Sequence, residues 1–589
     1  MYLLRPHHSG HAEYVMEAHG KGVHVPRSRN PLVRFQHAFE ARFAKVRESY
    51  RSVLVMALTH RRPFISGFMA FVLGSFALAP FLGENFFPTV DSGEMTLHVR
   101  APVGTRIEDT AALFDHVENT IRRTVPSNEL ASIVDNVGLS VSGINNAYNN
   151  TGGIGPQDGD IYVSLTEKHR PTAQYIRLLR QRLPHEFPGV TFAFLPADII
   201  SQILNFGAPA PLDLQVAGPN RDQNEAYANA LLQKVKQVSG TADVRLQQSS
   251  HYPQFNINID RTRAGQLGLT ERDVTNSLTT SLAGSSQIAP TFWLNPKNGV
   301  SYPIVAQTPQ ADVDTLSDLQ NLPITAGKPG DMQILGGLGS ISRQESDAVV
   351  THYAIEPSYD IYATTQDRDL GAVARDIQKL IKQTAGQRPK GAAVTLRGQI
   401  TTMNEAFGGL SFGLIGAIVL IYLLIVVNFQ SWLDPFVIIT ALPAALAGIV
   451  WMLFATHTTL SVPALTGAIM CMGVATANSI LVVSFARERL DATGDAMIAA
   501  VEAGFTRFRP VLMTALAMII GMAPMALGLG EGGEQNAPLG RAVIGGLIFA
   551  TCATLVFVPV IFSIVHGRHA PEPSGAEGDP SPLAGEAYA

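Results

Sequence analysis

Charge is scarce in this chain. Asp, Glu, Lys and Arg make up 15% of its 589 residues, against roughly 25% in ordinary soluble domains. Cysteine is scarcer still. Cys471 and Cys552 are the two, and both lie in apolar stretches, so no disulfide framework is implied. Without Cys/His metal-ligand spacing a structural zinc site is not expected either. The net charge of −5 offers nucleic acid no footing. GxxxxGK[ST] does not occur, which excludes a self-contained ATP-driven pump. Gly409-Leu410-Ser411-Phe412-Gly413 fits GxSxG as text. It opens an apolar run and lacks the strand–turn–helix context of a hydrolase nucleophile, so no enzyme is read from it. No cofactor motif is present. MYLLRPHHSG has neither the h-region nor the cleavage site of a secretory signal peptide.

What the chain has instead is long apolar runs. Residues 463–486 carry no Asp, Glu, Lys or Arg, and a bilayer core takes about 20 such residues. Further runs fall at 64–83, 410–428, 435–455, 510–530 and 543–565, six spans in all. Basic residues at 1–62, 487–509 and 568 put both termini in the cytoplasm and residues 84–407 outside. Polar groups at membrane depth are few: Tyr422, Thr476, Asn478, Ser479 and Thr514. They are costly there unless they face other helices or a polar path. Either they join helices, or they line such a path. Arg507 and Arg509 lie at the inner end of the fifth span, as topology anchors or as partners for a carboxylate on another chain.

At 589 residues the chain exceeds one ordinary domain. It divides into a basic segment (1–62), a first span (63–83), three soluble stretches (84–210, 211–320 and 321–407), a five-helix bundle (408–566) and a tail rich in Pro, Gly, Ala and Glu (567–589). In the basic segment Phe35, Phe39, Phe43, Val46 and Tyr50 recur at helical spacing, as in a helix lying on a membrane surface. The soluble stretches alternate strand and helix patterns in the order β-α-β-β-α-β, first over 95–195 and again over 212–307. A partial third copy covers 359–397. The expected class is therefore six transmembrane helices with an α+β ectodomain of repeated ferredoxin-like units. Asn145–Gly159 reads as a loop, and Asn295-Pro296-Lys297-Asn298-Gly299 as the tip of a hairpin between 291–294 and 300–304. Phe192 and Phe194 share one face of a strand. With Tyr162 they form either part of a core or the wall of an apolar pocket.

A basic surface helix, one span, a duplicated α+β region and five clustered spans resemble the C-terminal half of resistance-nodulation-division efflux permeases. The likeness is carried by residues 253–260 (PQFNINID) and 266–269 (QLGL). It is carried too by 192–196 (FAFLP), 478–486 (NSILVVSFA), 509–514 (RPVLMT) and 535–537 (QNA). The hydrophobe/amphiphile branch, typified by the acriflavine-resistance pump, looks most similar. The resemblance implies a trimeric inner-membrane proton antiporter in the lipid bilayer, working with a periplasmic adaptor and an outer-membrane channel. It makes 84–210 and 321–407 porter regions and 211–320 a docking region. The docking hairpin would present Trp293, Asn295, Pro296, Asn298 and Gly299. Phe192, Phe194 and Tyr162 match the family's aromatic substrate pocket. Leu139 and Val141 stand where the acriflavine-type pump has phenylalanines. Asn478, Arg507 and Thr514 match proton-relay positions, and Ala477 stands where that pump has lysine. The paired aspartates of the relay belong to an N-terminal half, which this reading assigns to a separate chain. MYLLRP resembles the end of a preceding span. The runner-up readings are a non-transporting membrane scaffold or inactive fragment, and a permease fed by a separate ATPase.

Overall fold

The computed structural model describes residues 31–140, 151–205, 207–327, 332–530 and 532–567, with side chains from residue 39 onward in the first helix. Two compact units result. One joins Met1–Pro88 with Asn404–Ala589, and the other is Thr89–Met403.

The first unit holds six helices long and apolar enough to cross a membrane: Arg61–Phe81, Gln399–Phe429, Leu433–Ala455, Val462–Thr493, Ala496–Ala526 and Ala537–His566. They overlap the six runs read from the sequence, and each begins earlier than expected. The earlier starts bring Asp434 into the third span and Arg541 into the sixth. Arg541 is fully employed, with Nε donating to the Ala526 carbonyl (3.0 Å) and Nη1 to Thr458 Oγ1 (2.7 Å). The third and sixth spans touch at Gly448 and Gly545. A Cβ on Gly545 would come within 2.6 Å of the Gly448 carbonyl oxygen, so only glycine allows this approach.

The basic segment does form a helix, Pro31–Thr59. It uses its face differently from the periodic reading. Phe43 and Tyr50 turn toward the fifth span, where Tyr50 stacks on Phe508 at 4.6 Å and donates to the Leu555 carbonyl at 2.7 Å. Phe39 and Val46 stay exposed, and the Phe35 side chain lies outside the described residues.

The second unit is built on two sheets. In the first, β1 (Glu94–Arg100), β2 (Leu130–Val137), β3 (Asp158–Leu165) and β4 (Thr191–Leu195) pair in the order β2-β3-β1-β4, antiparallel throughout. The helices Ile107–Thr124 and Thr172–Glu186 cover one face, around Phe114, Val117, Tyr175 and Leu179. Gly159 of β3 leaves room for the Phe114 ring, 2.8 Å from where its Cβ would stand. The loop expected over Asn145–Gly159 thus gives way to strand at Asp158, while 141–150 lie outside the described residues.

The second sheet corrects the expected grouping. β5 (Leu212–Ala217) and β6 (Thr241–Leu246) do not pair with the strands that follow them. The chain leaves through β7 (Tyr252–Ile259), β8 (Thr291–Leu294), β9 (Ser301–Ile304), β10 (Pro323–Ile324), β11 (Gln333–Ile334) and β12 (Gly339–Ser346). It returns through β13 (Thr351–Tyr353) to β14 (Glu356–Thr365) and β15 (Ala393–Gly398). β14 lies between β6 and β5, and β15 flanks β5 on its other side. The strands expected to open a second copy and those of the partial third therefore make one sheet. Its helices are Arg221–Val235 and Leu370–Gln383. A boundary at residue 320 cuts this sheet in two. Residues 249–348 are an insertion whose outgoing β7 and returning β12 pair with each other along their whole length, and β13 beyond it pairs with β14.

Candidate functional site

Sheet register decides which candidate residues meet. β1 is the common neighbour: Leu97 pairs with Ile161 on one side and Phe194 on the other, while Thr96 pairs with Tyr162. Phe192 and Phe194 thus stand on the helix-covered face with Leu97 and Val99. Tyr162 stands on the opposite face, because successive strand residues alternate. Phe194, 7% exposed, belongs to the core, and Phe192 packs against Phe187 at 6.2 Å. Tyr162 is 38% exposed. The expected three-ring pocket is not assembled, and the core-packing alternative holds for Phe192 and Phe194. Leu139 is exposed, and Val141 lies outside the described residues.

The face that carries Tyr162 is polar. His98, 1% exposed, has Nδ1 2.9 Å from Asp160 Oδ1 and Nε2 3.8 Å from Asp158 Oδ2. Arg100 Nε donates to Asp158 Oδ1 (2.8 Å), and its Nη1 donates to the carbonyls of Leu246 and Gln247 (3.1 Å each). Those carbonyls lie at the end of β6, so Arg100 ties the first sheet to the second. A second tie is Arg180, which grips the Asp243 carboxylate through Nε (3.0 Å) and Nη2 (2.5 Å). The Phe194 amide donates to that same carboxylate at 3.1 Å.

The corresponding face of the second sheet carries a row in register: Arg397, Asp213, Tyr362, Arg245. Asp213 is 7% exposed, and its Oδ1 accepts no hydrogen bond from a described residue. Burial, reinforced by the Asp360 charge and opposed by Arg397, pushes its pKa up to about 7. Arg397 lies instead over the Tyr353 ring, at 4.6 Å. Burial, with Arg100 nearby, lowers Arg245 to about 10, so it stays cationic at neutral pH. Asp360 accepts from Gln215 (2.9 Å) and Gln248 (2.8 Å). Sequence reading missed this whole set. Its only local signal is polar residues alternating with apolar ones in strands that the fold buries on both faces. Among the described residues, no group of three His, Cys, Asp or Glu is placed to hold a metal ion.

In the bundle, two of the expected relay residues meet: Thr514 Oγ1 donates to Asn478 Oδ1 at 2.8 Å. Ser479 and Thr554 share a buried hydrogen bond of 2.8 Å. Thr476 bonds its own helix at the Met472 carbonyl. Arg507 lies 4.8 Å over the Phe485 ring, with Nε buried and without an acceptor among the described residues. Ala477 is exposed on the bundle surface. Sequence reading overlooked an ionic cluster at one end of three spans. Asp434, 2% exposed, has Oδ2 3.1 Å from Arg487 Nη1 and Oδ1 3.1 Å from His566 Nε2. The run expected from residue 435 begins one residue beyond Asp434.

The hairpin forms as expected, with Thr291 opposite Ile304 and Leu294 opposite Ser301. Its turn is closed by Asn295 and Asn298 side chains accepting from the amides of Lys297 and Val300. Gly299 takes positive φ there, and Pro296 completes the tip. Phe292, Trp293, Leu294, Tyr302 and Ile304 are all exposed.

Comparison with known proteins agrees with this architecture. The chain is 27% identical to Protein HelA of Legionella pneumophila over 88% of its length and 49% of HelA's. It is 25% identical to the cobalt-zinc-cadmium resistance protein CzcA of Cupriavidus metallidurans, over 84% of this chain and 46% of CzcA. The nickel and cobalt resistance protein CnrA of the same organism is 27% identical over 89% of this chain and 48% of its own. A crystal structure of a heavy metal efflux pump superposes with a TM-score of 0.75 at 26% identity, covering 89% of this chain and 52% of that one. The chain thus spans about half the length of the curated relatives it matches. With the family pattern matching residues 14–566, the chain belongs to the AcrB/AcrD/AcrF family of resistance-nodulation-division permeases.

Proposed function

We propose that this chain is the C-terminal half of a proton-driven efflux permease whose cargo is a divalent heavy-metal cation. The resemblance read from sequence favoured hydrophobic and amphiphilic cargo. Two relatives named for metals, and a pump of that kind among the solved structures, favour the cation. The observation that carries the reading is the chemistry of the two buried polar sheet faces. They present His98, Asp158, Asp160, Asp213 and Asp360, and the aromatic rings expected there are turned into the core or apart. Carboxylate and imidazole groups suit such ions, whereas a greasy wall suits amphiphiles. A cargo that must also leave needs weak, successive contacts rather than one closed site.

On this reading each sheet, in the order β2-β3-β1-β4 or β6-β14-β5-β15, is a ferredoxin-like porter subdomain. The insertion is the docking region, and its exposed hairpin meets a neighbouring copy in a trimer. Residues 84–407 face the periplasm, where adaptor and outer-membrane channel join. Both termini are cytoplasmic. Asn478, Thr514 and Arg507 line the relay, and an N-terminal half supplies the carboxylates that carry the proton. Proton binding there would bias the porter subdomains by alternating access.

The test is co-expression with an N-terminal half in cells stripped of their own metal exporters. Cellular cobalt, nickel, zinc and cadmium should fall several-fold, and a protonophore should abolish the fall. Unchanged metal content with increased dye efflux would return the cargo to amphiphiles. No gradient-dependent export of either would favour the scaffold reading.

A further inference from the structure

The buried polar faces of the two sheets hold more positive charge than a site for a bare cation needs. Arg100 and Arg245 lie among Asp158, Asp160, Asp213 and Asp360, all at most 9% exposed. Arg100 has a carboxylate of its own, Asp158, at 2.8 Å. Arg245 does not. Its Nε and Nη2, on one edge of the guanidinium, are buried and donate to no described residue. Arg180 uses that same edge to grip the Asp243 carboxylate. Arg245 is also held in place. Its guanidinium lies over the Tyr362 ring, at 5.4 Å. On either side of it along the chain, Arg180 fixes Asp243, and Arg100 fixes the carbonyls of Leu246 and Gln247. Arg100 and Asp160 are both near enough to act on its charge. A buried fork without an acceptor is unfavourable. A planar carboxylate fits Nε and Nη2 together.

The same faces offer a metal ion few donors. No three His, Cys, Asp or Glu among the described residues are grouped to hold one. Asp158 is taken up by Arg100, and Asp360 accepts from Gln215 and Gln248. His98 Nε2 and Asp213 Oδ1 make no hydrogen bond to a described residue. A cation that arrives with part of its shell already filled needs fewer ligands from the protein. We propose that the cargo is the cation in complex with an organic carboxylate, the carboxylate seated on Arg245 Nε and Nη2 while His98 and the neighbouring aspartates meet the metal. This rests on reading these faces as the cargo site, and names what travels with the ion. Arg245 repels a bare divalent cation, whereas in the complex its charge becomes a partner. Holding the fork in advance removes part of the ordering cost of binding.

The test uses the whole chain in detergent, free of any polyhistidine tag. Nickel is presented alone, with an equivalent of L-histidine, or with an equivalent of histamine. Both ligands offer nickel an imidazole and an amine, and histidine adds the carboxylate. Equilibrium dialysis with labelled ligand reads the affinity and the ratio of ligand to metal. Nickel–histidine should bind about ten-fold more tightly than nickel–histamine, within the range of a hydrogen bond to a charged group. Histidine and nickel should be retained in equal amounts. R245Q should bring nickel–histidine down to the histamine level without weakening nickel–histamine. R245K keeps the charge but loses the fork, and should fall between R245Q and the wild type. The comparison of the two complexes on the wild type needs no substitution, so it decides even where R245Q folds poorly. Equal affinity for all three forms of nickel overturns the carboxylate and leaves the bare cation as cargo. Histidine bound as tightly without nickel overturns the complex. Equal losses of both complexes in R245Q overturn the seat. Binding of no form of nickel overturns this inference together with the cargo reading beneath it.

Discussion

The bundle and the soluble unit bury polar groups in opposite ways. Within the spans they are mostly neutral and joined in pairs, Asn478 with Thr514 and Ser479 with Thr554. The ionic cluster Asp434–Arg487–His566 is kept to the end of its helices. In the soluble unit, charges lie in the middle of the structure: His98 between two aspartates, Asp213 with one oxygen that accepts from no described residue, and Arg245 with two nitrogens that donate to none. Hydrocarbon penalises an isolated charge so heavily that a bundle keeps charges at its margins or in pairs. A water-bounded unit tolerates them where a network or a partly filled cleft shares the cost. The contrast assigns different work to the two units. On the proposed reading the soluble unit would handle the ion, and the bundle, on its own residues, holds helices in register.

The contrast breaks most directly at the tie between the sheets. Asp243→Ala strips Arg180 of its carboxylate and the Phe194 amide of its acceptor. It should destabilise the soluble unit by about 3–5 kcal/mol, the usual range for unpairing a buried ion. Denaturant unfolding of the whole chain checks this, and a loss under about 1 kcal/mol would make the tie a solvated contact. Phe194→Ala should cost about 3 kcal/mol through the cavity it leaves. Phe192→Ala, at a half-buried site, should cost less. If both leave stability intact and lower only efflux, the pocket reading returns.

Asp213 sharpens the contrast by pH. Its pKa is raised on folding from 3.8 to about 7, so the folded state holds the proton more tightly. The stability it contributes is complete below about pH 4 and is lost as pH rises through about 7. Asp213→Asn should flatten that decline. The variant should be more stable than the wild type by about 2 kcal/mol at pH 8, once relaxation around the charge is allowed for. Melting midpoints from pH 5 to 8 decide it, and parallel curves would mean that Asp213 is solvated. The smallest effect belongs to the bundle. Thr514→Val removes one interhelical hydrogen bond and should cost about 0.6 kcal/mol. A loss of several kcal/mol would show that the neutral pair carries weight comparable to the ionic tie.

Much of this was legible in the sequence, and what was not has a common cause. Apolar length located all six spans, and period-two and period-3.6 patterns found β1–β9, β14, β15 and the long helices of the soluble unit, but not β10–β13 or its short helices. Asn-rich turn chemistry found the hairpin. These signals are local. Sheet membership is not: nothing within Leu212–Ala217 says that its partners begin at Glu356 and Ala393. The shared face of Phe192 and Phe194 follows from their spacing. That Tyr162 points the other way depends on β1 pairing with both neighbours, which alternation within one strand cannot reveal. In the bundle, a two-residue difference at the start of the third span hid Asp434 and with it the Arg487–His566 cluster. Helix ends are where sequence patterns are least sharp.

The insertion has a further consequence. Its outgoing and returning ends meet, with the Ala348 amide donating to the Ser249 carbonyl at 3.0 Å. The two legs run on together as the β7–β12 ribbon. Such an arm is a cassette. A gene could lose it, lengthen it or trade it for another without moving a strand of the sheet, since a short turn spans the same gap. The tip can thus drift or be re-engineered independently of the polar faces at the base.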